Sequence, residues 1–346
     1  MICVLSPAKT MIRASDLPSL CLPDRSVPAL LEQAQMVGRV LKAKTKKELK
    51  TLCGVSDNLS SHVKSLCDNF VFFSDVKTAT TDICERDKEH FNQAALMFNG
   101  PAFQGLDAKS LSGNDAFLLQ KHLRILTGLY GPVRPADFIQ EHRLCMGTKL
   151  EVNGEKDLYS FWRDSIANEI VADLMAQQEQ INTKRKKSKG NSSMEHVPSP
   201  LLLINCASQE YFKSISPHLP SEVGVERTIP LRIVECVFLD GGMIKSAFAK
   251  RARGLMARYV CIHGDVISCG SDEAVDKIKE FDYEGYSFSE RDSTSDRLVF
   301  TRAKPPSSAA TKASNYKMEK STAGEGRGAK RQATKVANEK RKLTKR

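Results

Sequence analysis

The sequence is poor in aromatic residues and has no long apolar run. Aromatic residues make up 7% of its 346 residues and include a single tryptophan. No apolar run approaches the roughly 20 residues that a membrane-spanning helix needs, so we expect no spanning segment and no membrane partner. The first nine residues lack a basic region followed by a long apolar stretch, so we expect no secretory signal.

Common enzyme and metal-site signatures are also missing. The sequence has no Gly-x-x-x-x-Gly-Lys-Ser/Thr loop, no Gly-x-Gly-x-x-Gly and no His-Glu-x-x-His. Its ten cysteines are scattered without a Cys-x-x-Cys pair and its seven histidines are dispersed, so we predict no metal site and no cofactor. We assign no catalytic residue. We expect the cysteines to be reduced and partly buried, as in a cytosolic or nuclear protein.

The formal net charge of +11 is concentrated in two segments. Residues 304–346 hold 13 Lys and Arg against three Glu, and residues 182–200 hold five against one, which leaves the rest slightly acidic. The composition of 304–346 predicts a disordered basic tail, and that of 182–200 is typical of a disordered inserted loop. We therefore expect one domain over 1–303. We expect a cytoplasmic protein, or a nuclear one if Lys184–Lys189 or the basic clusters of the tail serve as import signals.

Strand-like and helix-like segments alternate along 1–303, which predicts a mixed α/β fold. Apolar spacing predicts helices over 27–42, 57–69, 114–127, 158–175 and 246–262, and Thr45 with Glu48 predicts a capping box. Strands are predicted over 2–5, 94–98, 201–204, 229–239, 285–288 and 298–301.

The most informative segment runs from Leu123 to Pro135. A predicted helix leads into Gly128-Leu-Tyr-Gly131, and two arginines flank this turn. Closely spaced glycines let backbone N–H groups converge on a phosphate, as in a helix-hairpin-helix element. An ordinary Gly-capped helix end is the alternative that the segment leaves open. The DNA-binding candidates here are Arg124, Thr127, Gly128, Leu129, Tyr130, Gly131 and Arg134.

A second candidate segment, Lys245 to Arg258, holds five basic residues and no acid at helical spacing. A solvated helix normally mixes both signs of charge, so this pattern favours anion binding over a plain exposed face. We predict a phosphate-binding ridge formed by Lys250, Arg251, Arg253 and Arg258.

Polar residues follow two of the predicted strands. They are Ser6 and Lys9 after the first strand, and Asn205, Glu210, Tyr211 and Lys213 after the strand at 201–204. Loops at strand ends commonly carry function in α/β sheets, so these residues predict a polar, positively biased cleft, in which Lys9 and Lys213 are further candidates for binding phosphate. Ser and Asn are also ordinary helix caps, which is the structural alternative.

Several short motifs follow one another along residues 1–303. They include Ser6-Pro-Ala-Lys-Thr10, Phe98-Asn-Gly100, Phe103-Gln-Gly-Leu106, Arg143-Leu-Cys-Met-Gly147, Lys156-Asp-Leu-Tyr159, Asn205-Cys-Ala-Ser208, Glu210-Tyr-Phe-Lys213 and Glu284-Gly-Tyr286. Taken in order, these motifs resemble the YaaA family of peroxide-stress proteins. The resemblance implies a single compact α/β domain of unusual topology, with a basic cleft and a helix-hairpin-helix element that binds duplex or branched DNA without sequence specificity. It also implies a role in the hydrogen peroxide response that limits damage from unincorporated iron. The basic insert and tail lie outside the family pattern.

Three interpretations of the cleft follow. The leading one is a DNA-binding protein of the peroxide response that grips the phosphate backbone of duplex, bubble or junction DNA. The alternative is an enzyme that acts on a nucleobase or nucleotide, with acid, base and amide groups from Lys9, Asn205, Glu210 and Tyr211. In the third, the same polar residues form a satisfied internal network. A deep pocket with a desolvated Glu210 would favour the enzyme, and an open groove would favour binding; the oligomeric state is not predicted.

Overall fold

A large mixed β-sheet forms the centre of the protein in a computed structural model, which describes residues 1–17, 26–74, 79, 89–111, 113–189, 200–224, 228–267 and 272–303. The strands are β1 (Ile2–Leu5), β2 (Phe91–Gln93), β3 (Leu123–Thr127), β4 (Gly131–Val133), β5 (Phe138–Gln140), β6 (Leu201–Cys206), β7 (Glu222–Val223), β8 (Ile229–Asp240), β9 (Ser287–Phe288) and β10 (Arg297–Arg302). The helices are α1 (Leu31–Ala43), α2 (Lys46–Cys53), α3 (Asp57–Asp68), α4 (Ala94–Met97), α5 (Pro101–Leu106), α6 (Gly113–His122), α7 (Leu158–Trp162), α8 (Ser165–Lys189), α9 (Gln209–Phe212), α10 (Ser246–Ile262), α11 (Gly264–Ile267) and α12 (Asp272–Lys279).

The main sheet has the strand order β4-β3-β1-β6-β8-β10-β9, with β7 paired to β8. β1 lies parallel to β3 and β6, and β6, β8 and β10 continue the parallel run. β4, β7 and β9 pair antiparallel to their neighbours, and β2 and β5 form a separate small sheet. The parallel strands therefore end at one shared edge of the sheet, and the loops after β1 and β6 lie side by side there.

The central strands are buried on both faces, as expected for parallel strands covered by helices. All residues of β1, β3 and β6 are buried, and their apolar residues belong to one continuous hydrophobic core. α10 crosses α5 closely because two glycines lie at the contact: a Cβ at Gly254 would overlap the Ala102 carbonyl, and a Cβ at Gly105 would overlap the Arg251 carbonyl.

The predicted mixed α/β fold is confirmed, and the helix predicted over 246–262 and the capping box at Thr45 have the expected positions. Four segments differ from prediction. The helix predicted over 158–175 is divided into α7 and α8, because Arg163 after α7 has a positive φ of 43°. The helix predicted over 114–127 ends at His122, because the next five residues form the strand β3, which pairs with β1 on one side and β4 on the other. The strand predicted over 94–98 is the short helix α4. The loop predicted from residue 182 begins as helix, since α8 continues to Lys189; residues 190–199 and the tail lie outside the described residues.

Candidate functional site

The glycine-containing segment after β3 is a buried β-hairpin, not the predicted helix-hairpin-helix element. Leu129 and Tyr130 are each 1% exposed, and Thr127 is fully buried. The Tyr130 N–H donates to Thr127 Oγ1 at 2.8 Å, and the Gly128 carbonyl accepts from Trp162 Nε1 at 3.1 Å. A Cβ at Gly128 would lie 2.9 Å from the Leu144 carbonyl oxygen. The turn therefore packs into the protein interior, where its backbone cannot approach a phosphate outside.

The two arginines that flank this hairpin bind carboxylates of α8. Arg124 Nε lies 2.5 Å from Asp173 Oδ2, and the Arg124 side chain is 5% exposed. Arg134 Nη2 lies 2.7 Å from Asp173 Oδ1 and 3.4 Å from Glu169 Oε1. Burial raises the pKa of Asp173, but the two guanidinium groups lower this pKa by a larger amount, so the net shift is downward. These arginines fasten the sheet to α8, and Arg124 is not accessible to a surface ligand.

The predicted basic ridge on α10 is mostly turned inward. Arg258 is 3% exposed and donates to the backbone carbonyls of Leu106 and Asp107 at 2.9 and 2.7 Å. Arg251 binds Glu284 at 2.7 Å, and Arg253 is half-buried. Lys250 is exposed. Because α10 packs against α5 and the sheet, Arg251 and Arg258 do not lie on one exposed face, and the predicted phosphate-binding ridge is wrong for these two residues.

Two of the polar residues after β1 and β6 accept hydrogen bonds from backbone N–H groups. Ser6 Oγ accepts a hydrogen bond from the Ser208 N–H at 2.8 Å, and Asn205 Oδ1 accepts from the Ala207 N–H at 2.9 Å. Asn205 and Tyr211 are 4% and 7% exposed. Ser6 and Asn205 therefore fit the interpretation as a satisfied internal network, and Tyr211 is buried, while Lys9 and Glu210 are exposed.

Lys9 and Glu210 line one cleft of about 860 Å³, at the edge of the sheet where the parallel strands end. One wall is α2 with the residues around it, and the other is the segment 143–149. The lining residues are Lys9, Lys44, Lys47, Glu48, Thr51, Leu52, Cys53, Gly54, Arg143, Cys145, Gly147, Thr148, Lys149 and Glu210.

Cations dominate the lining of this cleft, because five Lys or Arg side chains face two carboxylates. Both carboxylates are already engaged. Glu48 Oε2 accepts from the N–H and hydroxyl of Thr45, and its Oε1 lies 3.2 Å from Lys44 Nζ; the Thr45 and Lys44 contacts lower the pKa of Glu48 to about 2. Glu210 Oε1 accepts from the Gly147 N–H at 3.0 Å. Lys9, Lys47 and Lys149 have no carboxylate partner within the described ranges.

Backbone contacts hold the cleft walls in place. Arg143 Nη1 donates to the Lys9 carbonyl at 2.9 Å, which ties the segment 143–149 to the loop after β1. The Tyr159 hydroxyl donates to the Glu210 carbonyl at 2.9 Å, and Lys213 Nζ lies 5.2 Å from the centre of the Tyr159 ring. Lys213 is exposed and lies beside the cleft, but its side chain does not line it.

Sequence reasoning missed Lys44, Lys47, Arg143 and Lys149. Two come from the amphipathic, Lys-rich stretch at α2 and two from an irregular segment about 100 residues later, so no local spacing relates them. Only the tertiary structure brings them together.

Within the described ranges, no group of three or more His, Cys, Asp or Glu side chains is placed to hold a metal ion. No helix in those ranges is both long and apolar enough to cross a membrane.

Comparison with known proteins identifies similar sequences over most of the chain. A family profile described as Peroxide stress protein YaaA matches residues 1–292. A UPF0246 protein of Burkholderia thailandensis is 37% identical over 306 residues, which cover 87% of this chain and 98% of that protein. A UPF0246 protein of Burkholderia mallei strain SAVP1 is 35% identical with the same coverage.

Proposed function

Because the chain belongs to the YaaA family of peroxide stress proteins, we propose that it acts in the peroxide stress response by binding the phosphate backbone of DNA in the cleft between α2 and the segment 143–149. The observation that carries this proposal is the excess of cations over available carboxylates in the cleft. Both acids, Glu48 and Glu210, are engaged by neighbouring groups, so an incoming anion meets uncompensated positive charge. Phosphate contacts of this kind position DNA without reading its sequence.

The volume of the cleft limits which part of a DNA molecule can enter it. A volume of about 860 Å³ is that of a small-ligand site and is too small for a whole duplex. We infer that a short stretch of one strand enters while the remaining DNA lies outside. Bubble DNA, which offers such a strand, is therefore expected to bind more tightly than uninterrupted duplex.

The cleft favours binding over catalysis. A nucleobase-modifying enzyme would need its acid, base and amide groups to converge, yet Asn205 and Tyr211 lie in the interior and Glu210 is solvent-exposed. A general base must reach the proton that it removes, and Glu210 directs Oε1 to the Gly147 N–H. The binding interpretation uses only the exposed side chains of the cleft.

The test is a titration of the full chain against duplex, bubble and junction DNA at several salt concentrations. Lys47→Gln with Lys149→Gln is the cleft variant, and Lys109→Gln with Lys245→Gln is the control, since all four lysines are exposed. The cleft variant is expected to reduce the slope of log affinity against log salt by about 1.4 to 1.8, because each phosphate contact contributes about 0.7 to 0.9. The control variant is expected to change the slope less.

Equal slopes for the two variants would contradict the proposal. The basic tail contributes to binding in both variants alike, so it does not affect this comparison. If the tail carried all the affinity, neither pair of substitutions would change the ranking of the three DNA forms.

A further inference from the structure

Two cysteines 92 positions apart in the sequence line the same cleft. Cys53 is the last residue of α2, and Cys145 lies in the opposite wall; both are free and half-buried. Cys53 Sγ donates to the Arg143 carbonyl at 3.6 Å, only two residues before Cys145. The other free cysteines in the described ranges are buried: Cys3, Cys67, Cys206, Cys236 and Cys261. The two cleft thiols are therefore the most accessible of these seven.

We propose that Cys53 and Cys145 form a peroxide-oxidised dithiol site in the wall of the cleft. The Cys145 thiol releases its proton and its sulfur attacks one oxygen of a hydroperoxide: an S–O bond forms, the O–O bond breaks, and the other oxygen takes up the released proton and leaves as water or an alcohol. The product is a sulfenic acid on Cys145. The Cys53 sulfur then attacks the Cys145 sulfur: an S–S bond forms, the S–O bond breaks, and water leaves. The hydroperoxide is reduced, and two thiols become one disulfide.

The two cysteines have different roles in this sequence. Burial, and then the charge of Cys145, raises the pKa of Cys53, whereas Arg143 lowers it in part. The Cys53 thiol also donates its proton in a hydrogen bond to the Arg143 carbonyl at 3.6 Å. A thiol held in its protonated form is a poor first nucleophile, which assigns the first attack to Cys145 and the second to Cys53. The new bond would tie the end of α2 to the segment 143–149, so the cleft lysines on both walls would be fixed relative to one another.

The dithiol proposal does not depend on DNA binding, because its test detects a covalent disulfide bond. The reduced full-length protein is treated with an equimolar amount of hydrogen peroxide, its remaining thiols are alkylated, and peptides are mapped by mass spectrometry. The expected first product is a peptide pair linked through Cys53 and Cys145. The buried Cys3, Cys206 and Cys236 are expected to be recovered as alkylated thiols.

Three substitutions separate the roles. Cys53→Ser is expected to stop at the sulfenic acid, so dimedone labels Cys145; Cys145→Ser is expected to give neither product. Cys67→Ser is the matched control, because Cys67 neighbours Cys53 from α3 and is not part of the proposed pair. Its Cys53–Cys145 link is expected to form as in the unchanged protein.

Two results would overturn the proposal. One is complete alkylation of Cys53 and Cys145 after peroxide treatment of the folded protein. The other is a Cys53–Cys67 link as the first product. Either result leaves the salt titration of DNA binding unaffected, so the two proposals fail separately.

Discussion

Replacing Arg124 by Met is expected to destabilise the fold while leaving the DNA affinity of the folded protein unchanged. Arg124 lies 2.5 Å from Asp173 and its Nη1 also donates to the carbonyls of Gln120, Lys121 and Leu123. Removing one partner of a buried ion pair costs about 3–5 kcal/mol. Arg134 remains 2.7 Å from Asp173 and retains part of the compensation. We therefore expect a loss of about 3 kcal/mol, near the lower end of that range.

Urea unfolding followed by circular dichroism measures this loss. Arg13→Met is the control, because the Arg13 and Asp16 side chains are 71% and 46% exposed and such a surface pair contributes about 0–1 kcal/mol. The reasoning would be refuted if Arg124→Met kept the free energy of unfolding within about 1 kcal/mol of the original and weakened DNA binding, since Arg124 would then be a phosphate ligand.

Three further outcomes are expected. Burial lowers the pKa of His122 to about 3 and of His142 to about 4, so only the unfolded chain gains protons on these residues as pH falls from 6.5 towards 4. The free energy of unfolding should therefore fall in this range by up to about 1.4 kcal/mol per pH unit for each residue. Urea unfolding at several pH values measures the slope, and His142→Gln should halve it; a flat profile would contradict this. Gly254→Ala should cost about 3 kcal/mol or block folding, because its methyl group would meet the Ala102 carbonyl; unchanged thermal stability would disprove this close contact. Deleting 304–346 should lower DNA affinity at low salt and keep the ranking of DNA forms, as gel-shift competition can show; complete loss of binding would place the DNA site in the tail.

Most helices could be predicted from the sequence, because helical spacing and helix caps depend on residues that are close together in the chain. The apolar spacing of α10 and the Thr45–Glu48 capping box depend on residues within a few positions of one another. The same kind of pattern predicted a helix over Leu123–Thr127, which is a strand, since a short apolar run fits a buried strand as well as a helix. Its pairing with β1, more than 100 residues earlier, decides the outcome.

The candidate site was less predictable because charge alone does not indicate exposure. Arg124 and Arg258 are basic like Lys47, but their partners are a carboxylate and two carbonyls far away in sequence. Lys9 and Glu210 were found because strand ends of a parallel sheet share an edge. The wall contributed by Lys149 has no comparable sequence signal.

Lysine footprinting of the full chain tests the central claim most directly. The protein is acetylated briefly with and without bubble DNA, and the modification of each lysine is measured by mass spectrometry. The cleft site predicts that DNA protects Lys9, Lys47 and Lys149, while Lys109 reacts equally in both samples. Equal modification of the three cleft lysines with and without DNA, together with protection of Lys250, would contradict the account and return the DNA site to α10.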